Sequence, residues 1–338
     1  MKILVTGGGG FLGTHIIKEL LKNQSYVVTN FSRHSYLHLE DMGVPTIKGD
    51  LKNAADIEKA LSSGFDAIFH VAAMMGNWGR YQDFLDTNYY GTKNLLEGAR
   101  AHGVKRFIYT STPSVVFGKE DLLGVNEDYP YASEYLTPYA ETKSMAEKLV
   151  LQMNDNKHFL TCALRPHIIW GPGDPYFFPQ IIQKGKEGKL RIVGDGENLV
   201  DVIYIENAAR AHVQAFESLN PGSRVCGQAY FLGQERPVKL WDFINQILSY
   251  VKVEPVMKVI DLKSAYRLGW LFEKTFLIAG IQKPAPPMTR FNALYLGKSH
   301  YFSHQKAQRD FAYSPQISIE EGLKKTFSGK EVLRVERN

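Results

Sequence analysis

The stretch TGGGGFLG (6–13) constrains the fold of this chain more than any other feature. It follows an apolar run, KILVT (2–6), and precedes a helical pattern, so its glycines lie at a strand-to-helix turn. There Gly7 allows the tight turn, Gly10 allows a ligand to approach the backbone, and Gly13 allows the helix to pack on the strand. The helix N-terminus then faces an anion. The sequence therefore predicts a βα unit that binds the pyrophosphate of a dinucleotide.

Strand and helix patterns alternate through the first half of the chain, which is typical of a parallel sheet with helices on both faces. The predicted strands are 2–6, 26–30, 45–48, 66–71, 105–110 and 160–164. The predicted helices are 12–23, 53–62, 82–102 and 138–156. We therefore expect a doubly wound α/β domain of the Rossmann type over 1–165. A smaller, mainly substrate-binding region is expected over 166–338, with some later segments returning to the first domain.

The residues at the end of the second predicted strand indicate which dinucleotide binds. Proteins that bind NAD usually carry an acid there, which accepts a hydrogen bond from the ribose 2′-hydroxyl. The run VVTNFSRHS (27–35) contains no acid, and Ser32 is followed by Arg33. An arginine binds a 2′-phosphate through charge-assisted hydrogen bonds, whereas a carboxylate repels it. We therefore predict NADP(H) as the preferred cofactor, with NAD(H) as the alternative if Arg33 is only solvated.

A tyrosine and a lysine four residues apart, in PYAETK (138–143), are candidates for catalysis. On a helix, Tyr139 and Lys143 share one face. A phenol with a pKa near ~10 transfers protons poorly at neutral pH unless a nearby cation stabilises its phenolate, and the lysine supplies that charge. The fifth predicted strand ends in the hydroxyl-rich YTSTPSVVFG (109–118), at the edge where such sheets bind ligands. These features predict proton transfer by Tyr139, with a strand-end hydroxyl that steadies the substrate oxygen.

In these motifs the chain resembles the extended short-chain dehydrogenases/reductases over essentially its whole length. It is most similar to the branch of 3β-hydroxysteroid dehydrogenases, sterol 4α-carboxylate 3-dehydrogenases and bacterial 3-ketoalkanoate reductases of olefin synthesis. Further matching segments are FHVAAMMGNWG (69–79), TNYYGTKNLLEGA (87–99), LRPHIIWGPGD (164–174), GDGENLVDVIYIENAA (194–209), PPMTRF and SHYFS. The resemblance implies NADP-dependent chemistry at a CH–OH group.

Carried over by position, the resemblance implies roles for individual residues. Tyr139 and Lys143 take the places of the catalytic tyrosine and lysine. Thr112 takes the place of the catalytic serine or threonine, with Ser111 as the alternative. Asn88 takes the place of an asparagine that kinks a helix and organises a water relay. The residues expected to contact the cofactor are Gly7, Gly10, Phe11, Leu12, Gly13, Ser32, Arg33, Asp50, Leu51, Ala72, Tyr139, Lys143 and Pro166.

Composition argues against several other partners. The formal net charge is +5 without any basic block, which gives no support to nucleic-acid binding. No group of His, Cys, Asp and Glu has metal-ligand spacing, so no metal is expected. The two cysteines, Cys162 and Cys226, lie in apolar or strand-like runs, as is typical of a reducing compartment. Together with an N-terminus that opens directly into a strand, this predicts a cytoplasmic protein. A homodimer is left open.

The apolar stretch LGWLFEKTFLIAGI (268–281) has two interpretations. It is shorter than the ~18 residues that span a bilayer, and Glu273 and Lys274 interrupt it. Its apolar residues recur at helical spacing; they are Leu268, Leu271, Phe272, Phe276 and Ala279. Either this helix closes an apolar pocket, or it contacts a membrane surface and makes the protein peripheral to a membrane.

Three functions remain after these observations. The first is an NADP-dependent dehydrogenase/reductase that interconverts a secondary alcohol and a ketone on a large apolar substrate. In the resembling branch such substrates are sterols or long-chain β-hydroxy and β-keto acids. The second is a nucleotide-sugar epimerase or dehydratase, against which stand Ser32 in place of an acid and the apolar Met74, Met75 and Trp78 at the ligand edge. The third is a non-catalytic NADP sensor, which would not require Tyr139 and Lys143.

Overall fold

The computed structural model describes residues 1–328, so positions 329–338 of the predicted substrate region lie outside the described residues. Its strands are β1 (Lys2–Thr6), β2 (Val27–Ser32), β3 (Thr46–Lys48), β4 (Ala67–His70), β5 (Arg106–Thr110), β6 (Leu122–Val125), β7 (Leu160–Pro166), β8 (Ile169–Trp170), β9 (Ile192–Val193), β10 (Leu199–Val200), β11 (Ile203–Tyr204), β12 (Gln228–Leu232), β13 (Val238–Lys239), β14 (Val259–Ile260) and β15 (His300–Phe302). Its α-helices are α1 (Phe11–Leu20), α2 (Leu37–Glu40), α3 (Ala54–Leu61), α4 (Tyr81–Phe84), α5 (Gly91–Ala101), α6 (Pro138–Gln152), α7 (Phe177–Lys186), α8 (Ile205–Ser218), α9 (Leu240–Tyr250), α10 (Leu262–Ile278), α11 (Arg290–Gly297), α12 (Gln305–Phe311) and α13 (Ile319–Ser328).

The central feature is a seven-stranded sheet with the order β12-β7-β5-β4-β1-β2-β3. Every pairing in this sheet is parallel. Side chains of β1 alternate between the two faces, with Ile3 and Val5 in one apolar core and Leu4 in the other. Helices α1 and α8 pack together on the first face, and α3, α5 and α6 cover the second. The fold is therefore the predicted doubly wound α/β fold.

The main sheet extends beyond the first half of the sequence. Its edge strand β12 pairs with β7 from Cys162↔Gln228 to Pro166↔Leu232, and α8 packs against α1. A boundary at residue 165 would therefore cut through the sheet and through one of its helical layers. Strand β12 thus belongs to the main sheet and α8 to one of its helical layers, and sequence patterns alone did not locate either.

A smaller, mixed sheet lies beside the ligand edge, with the order β13-β10-β15-β6. Strand β10 runs antiparallel to β13 and parallel to β15. Two further pairs, β8 with β11 and β9 with β14, are both parallel. Helices α10 and α11 pack closely on each other in this region. None of the helices within residues 1–328 is both long and apolar enough to cross a membrane.

Local sequence explains where the helices that matter for the site begin. Thr137 caps α6 by accepting a hydrogen bond from the Ala140 N–H at 3.2 Å, and Pro138 occupies the first turn. The predicted helix 82–102 is divided, because a π-helical turn at Leu85–Tyr90 separates α4 from α5. Such turns insert an extra residue and are common at functional sites.

Candidate active site

The glycine loop has the geometry of a phosphate-binding turn. Gly7 adopts φ +70°, and a Cβ added there would lie 2.9 Å from the backbone nitrogen of Ala72. A Cβ on Gly13 would lie 2.2 Å from the Gly7 carbonyl oxygen, so only glycine lets α1 start this close to β1. Gly10 is the N-cap of α1 and has no side chain to cap it, which leaves the first-turn N–H groups of Phe11 and Leu12 for a phosphate. The loop therefore fits the pyrophosphate of a dinucleotide.

The residues expected around the adenosine lie at the ends of β2 and β3. Ser32 ends β2, and its hydroxyl donates to the His34 carbonyl at 2.7 Å. The Arg33 side chain is exposed and forms no ion pair within the described part of the chain, so its charge is available to a ligand. Asp50 and the buried Leu51 follow β3 at the same edge.

Tyr139 and Thr112 meet at the carboxyl edge of the sheet. Thr112 follows β5 and caps a short 3₁₀ turn, Pro113–Val115, by accepting from the Ser114 N–H at 3.2 Å. Burial raises the pKa of Tyr139 to about 12, and the nearby Thr112 hydroxyl opposes this rise. The neighbouring Ser111 hydroxyl is buried and lies instead near the Glu147 carboxyl, whose pKa it lowers. The structure thus brings Thr112, rather than Ser111, to the Tyr139 phenol.

Lys143 lies one turn after Tyr139, with its side chain buried. Its ammonium donates to the Thr110 carbonyl oxygen at 2.6 Å and lies 4.0 Å from the centroid of the Tyr109 ring. Burial lowers the pKa of Lys143 to about 7, although the nearby Glu147 carboxylate raises it. The backbone carbonyl and the aromatic ring stabilise the charged form, whereas desolvation disfavours it.

These pKa directions differ from the expectation drawn from the spacing of Tyr139 and Lys143. The spacing predicts that the lysine lowers the pKa of the phenol, but burial has the largest effect at both groups. It raises the pKa of Tyr139 and lowers that of Lys143, so that both neutral forms are favoured. The reason is that Lys143 Nζ is directed at Thr110 and Tyr109. In this arrangement Tyr139 is held as the protonated phenol, which is the form that donates a proton.

Asn88 links three elements around the site. It lies buried in the π-helical turn. Its amide oxygen accepts from the Met74 N–H at 2.7 Å, and its amide nitrogen donates to the Met74 carbonyl at 3.1 Å and to the Thr142 hydroxyl at 3.2 Å. The side chain therefore holds the loop after β4 against α6, and the kink expected at this asparagine corresponds to the π-helical turn.

Two further predicted contacts lie nearby. Pro166 ends β7 at the same edge of the sheet, and Ala72 packs on Gly7 after β4. Next to Pro166, Arg165 is buried and forms a two-point ion pair with Glu147, with Nε to Oε2 at 3.0 Å. Burial opposes ionisation of Glu147, but the charge of Arg165 outweighs it and lowers the pKa of the carboxyl.

Tyr295 of α11 also faces the site, and the sequence motifs did not identify it. Its ring stacks on His300, with centroids 4.4 Å apart, and on Phe291, and it packs edge-on against Phe117. Burial, followed by the charge of the nearby Tyr139, raises the pKa of the Tyr295 phenol. The only sequence signal was its place between PPMTRF and SHYFS.

Solved structures with this architecture are extended short-chain dehydrogenases/reductases. UDP-glucuronic acid 4-epimerase from Bacillus cereus in complex with NAD superposes with a TM-score of 0.75 at 26% identity, covering 97% of this chain and 98% of that chain. The protein described as gox2253 superposes with a TM-score of 0.77 over 96% of both chains at 23% identity, which shows the fold alone.

Sequence comparison defines the family. The model of the 3-beta hydroxysteroid dehydrogenase/isomerase family matches residues 4–262. The 2-alkyl-3-oxoalkanoate reductase of Stenotrophomonas maltophilia is 44% identical over 328 residues, 96% of this chain and 98% of that protein. The decarboxylating sterol-4-alpha-carboxylate 3-dehydrogenase of Mus musculus is 34% identical over 99% of this chain and 92% of its own length. The chain belongs to the 3-beta hydroxysteroid dehydrogenase/isomerase family and is an oxidoreductase.

Proposed function

We propose that this protein is an NADPH-dependent reductase that converts the 3-oxo group of a long-chain 3-oxo acid into a secondary alcohol, and catalyses the reverse oxidation. The observation that carries the proposal is the meeting of Tyr139 and Thr112, with Lys143 one turn away, at the sheet edge that also bears the glycine loop. These groups suit proton transfer to a carbonyl oxygen.

Each side chain of the site has a separate role in this reaction. The dinucleotide supplies the hydride, and the glycine loop, Arg33 and Pro166 hold it. Tyr139 donates its phenol proton to the substrate oxygen as that oxygen becomes an alcohol, and in the oxidation it takes the proton back. The Thr112 hydroxyl holds the same oxygen by a hydrogen bond. Lys143 positions the dinucleotide. When charged, it also stabilises the Tyr139 phenolate that proton transfer leaves behind.

The choice of substrate rests on similarity and on the character of the site. The relatives that share 44% and 42% identity over nearly the whole chain are both named 2-alkyl-3-oxoalkanoate reductase. Aromatic side chains cluster on α11, where Phe291 stacks on Tyr295, and Tyr295 lies near Tyr139. Such a cluster suits an acyl chain better than the hydroxyl groups of a sugar. A sterol is the second apolar candidate, since the sterol dehydrogenases share 34% identity.

Turnover of NADPH with a long-chain 3-oxo acid tests the function, and Tyr139→Phe tests the site. The variant keeps the ring but loses the proton, so we expect activity to fall by roughly 10²–10⁴-fold while NADPH binding by fluorescence stays unchanged. Tyr250→Phe, at an exposed tyrosine of α9, is the matched control and should retain wild-type activity. Nearly full activity of Tyr139→Phe across the pH range would exclude the assignment.

A second pair of variants separates the two strand-end hydroxyls. Thr112→Val removes the hydroxyl and keeps the shape of the side chain, and it should lower kcat strongly. Ser111→Ala should lower it much less, because Ser111 makes no hydrogen bond to the groups at the site. If Ser111→Ala is the more damaging change, the hydroxyl that holds the substrate oxygen is that of Ser111.

Two other functions give distinct results in the same assays. The fold similarity to a UDP-glucuronic acid 4-epimerase makes a nucleotide-sugar epimerase the second candidate. Epimerisation of UDP-sugars without net consumption of NADPH would replace the present proposal. Tight NADPH binding without turnover of any 3-oxo acid, sterol or sugar would instead indicate a binding protein.

A further inference from the structure

Helix α10 forms the outer wall of the region beside the site. Its inner face is fixed by close packing, since a Cβ on Gly269 would lie 2.5 Å from the carbonyl carbon of Thr289, the N-cap of α11. Glu273 is also on the inner face, where its carboxylate accepts from the Arg290 backbone N–H and side chain, both at 2.6 Å. These contacts fix which side of α10 faces outward.

The outward side carries large apolar residues in contact with water. Ile278 is 87% exposed and Leu277 57% exposed, although both rank among the residues most often buried in proteins. Trp270 and Leu271 are each about half exposed, and Ile281 continues the surface beyond the helix. We call this surface, Trp270, Leu271, Leu277, Ile278 and Ile281, the α10 patch. The apolar residues that the sequence places at helical spacing therefore do not share one environment. Phe272 and Phe276 turn inward, whereas Leu268, Leu271 and Ala279 are exposed.

Basic residues are the charges interspersed with the patch. Lys263, Arg267 and Lys274 are exposed and are spaced four and seven residues apart, which places them in one row on the outward side. Glu273 is the only acid between residues 262 and 283, and it is buried against Arg290. An outward face of Trp, Leu, Ile, Lys and Arg suits an occupant that is apolar inside and anionic at its surface.

The α10 patch is continuous with the loop that borders the active site. The Trp78 indole donates to the Ile281 carbonyl at 3.0 Å, and its ring packs edge-on against Phe276. Four residues earlier, Met74 is held by Asn88, and Met75 between them is half exposed. One surface therefore runs from the outward side of α10 to the loop after β4.

We propose that the α10 patch docks onto an anionic lipid bilayer and brings the edge of the active site to the lipid surface. The same face fits a second copy of the chain poorly. A symmetric dimer through α10 would set the row of Lys263, Arg267 and Lys274 against its own copy, and like charges would repel. The docking does not depend on which substrate is reduced, so its test is independent of the reductase assay.

Cosedimentation with vesicles tests the docking. We expect the whole chain to bind vesicles of equal parts phosphatidylglycerol and phosphatidylcholine, to bind pure phosphatidylcholine much more weakly, and to dissociate in high salt. Each basic residue near an anionic bilayer strengthens binding about fivefold. The triple variant Lys263→Glu, Arg267→Glu, Lys274→Glu should therefore lose more than a hundredfold. Trp270→Ser with Ile278→Ser should lose binding to both kinds of vesicle.

The matched control reverses the charge of three exposed lysines at the opposite edge of the main sheet. Its substitutions are Lys59→Glu, Lys105→Glu and Lys157→Glu. It changes the net charge equally and should keep vesicle binding. Circular dichroism and NADPH binding should show that all variants are folded. Failure of the wild type to bind anionic vesicles, or equal loss in the control, would overturn the proposal. Dimerisation that depends on Trp270 and Ile278, without vesicle binding, would overturn it in favour of a second copy.

Discussion

At the scale of single residues, burial shifts the pKa values of titratable groups in and beside the site in the direction that favours their neutral forms. Burial moves the pKa of Tyr139 up to about 12 and that of Lys143 down to about 7. His70 is a third example, since burial lowers its pKa to about 3 and its ring nitrogens contact the hydroxyls of Thr6 and Thr92 at 2.7 and 2.9 Å. In this environment Tyr139 is a protonated phenol at neutral pH, and Lys143 changes its charge near pH 7.

The burial of Lys143 should be measurable as a pH dependence of stability. The folded protein binds this proton less tightly than the unfolded chain does, because the pKa falls from 10.5 to about 7. Relative to Lys143→Met, the wild type should therefore gain about 1.4 kcal/mol of unfolding free energy per pH unit between about pH 7 and 10. Below pH ~7 the difference between the two proteins should be constant.

Urea unfolding of both proteins across this pH range measures the effect. Lys148→Met, at an exposed lysine of the same helix, is the control and should give a difference from wild type that does not change with pH. A pH-independent difference for Lys143→Met as well would show that the Thr110 carbonyl and the Tyr109 ring keep Lys143 charged.

Cofactor choice is also decided at single residues. The exposed Arg33 beside Ser32 favours a 2′-phosphate, and a charge-assisted hydrogen bond contributes about 1.5–3 kcal/mol. The wild type should therefore bind NADPH roughly ten- to a hundredfold more tightly than NADH, with a smaller ratio at high salt. Ser32→Asp should reverse the preference, because the new carboxylate repels the phosphate and accepts from a free 2′-hydroxyl.

Fluorescence titration of both cofactors against both proteins measures this preference. Ser25→Asp, at an exposed serine just before β2, adds the same charge at the opposite end of the strand and should leave the ratio unchanged. Equal or tighter binding of NADH by the wild type would show that Arg33 does not contact the cofactor.

At the scale of elements, a buried ion pair joins α6 to β7. Glu147 and Arg165 make two hydrogen bonds inside the molecule, and the Tyr131 hydroxyl also donates to Glu147 at 2.7 Å. Glu147→Gln would leave Arg165 as an uncompensated buried charge, at a cost of about 3–5 kcal/mol in unfolding free energy. Because α6 carries Tyr139 and Lys143, the same change should also disturb their placement.

A double-mutant cycle measures this pair by urea unfolding. Adding Arg165→Met to Glu147→Gln should recover much of the loss, since no unpaired charge then remains. The surface pair of Arg236 and Glu320 is the comparison, where Glu320→Gln should cost at most about 1 kcal/mol. A cost that small at Glu147 would mean that water reaches the buried pair.

Sequence patterns predicted the elements that are governed by local rules. Strands β1 to β5 and β7 were placed within two residues, because each is an apolar run bounded by turn signals. The helix predicted at 82–102 is divided at Leu85–Tyr90. The sequence did not predict this division, because the periodic spacing of apolar residues cannot reveal a single inserted residue. The glycine loop and the Tyr139–Lys143 helix were recognisable because their chemistry needs a fixed local spacing. Tyr295 was not, because only tertiary packing brings α11 to the site.

At the scale of the whole molecule, the first 165 residues do not form a closed unit. The edge strand β12 and the helix α8, which covers α1, both come from later sequence. A fragment of residues 1–165 would expose the edge of β7 and the apolar face of α1. We therefore expect it to aggregate or to unfold without cooperativity, whereas a fragment of residues 1–235 should be more soluble. Circular dichroism melts and analytical ultracentrifugation compare the two, and a sharp melt of the shorter fragment would contradict the expectation.

Strand β12 follows its partner β7 by about sixty residues in the sequence, which has a consequence for synthesis on the ribosome. At about 5–20 residues per second, the roughly sixty residues between Pro166 and Gln228 take several seconds to emerge. During that interval β7, every residue of which is buried in the finished molecule, presents an open strand edge to solvent. Nascent chains stalled in this window should be the ones that a ribosome-bound chaperone holds longest.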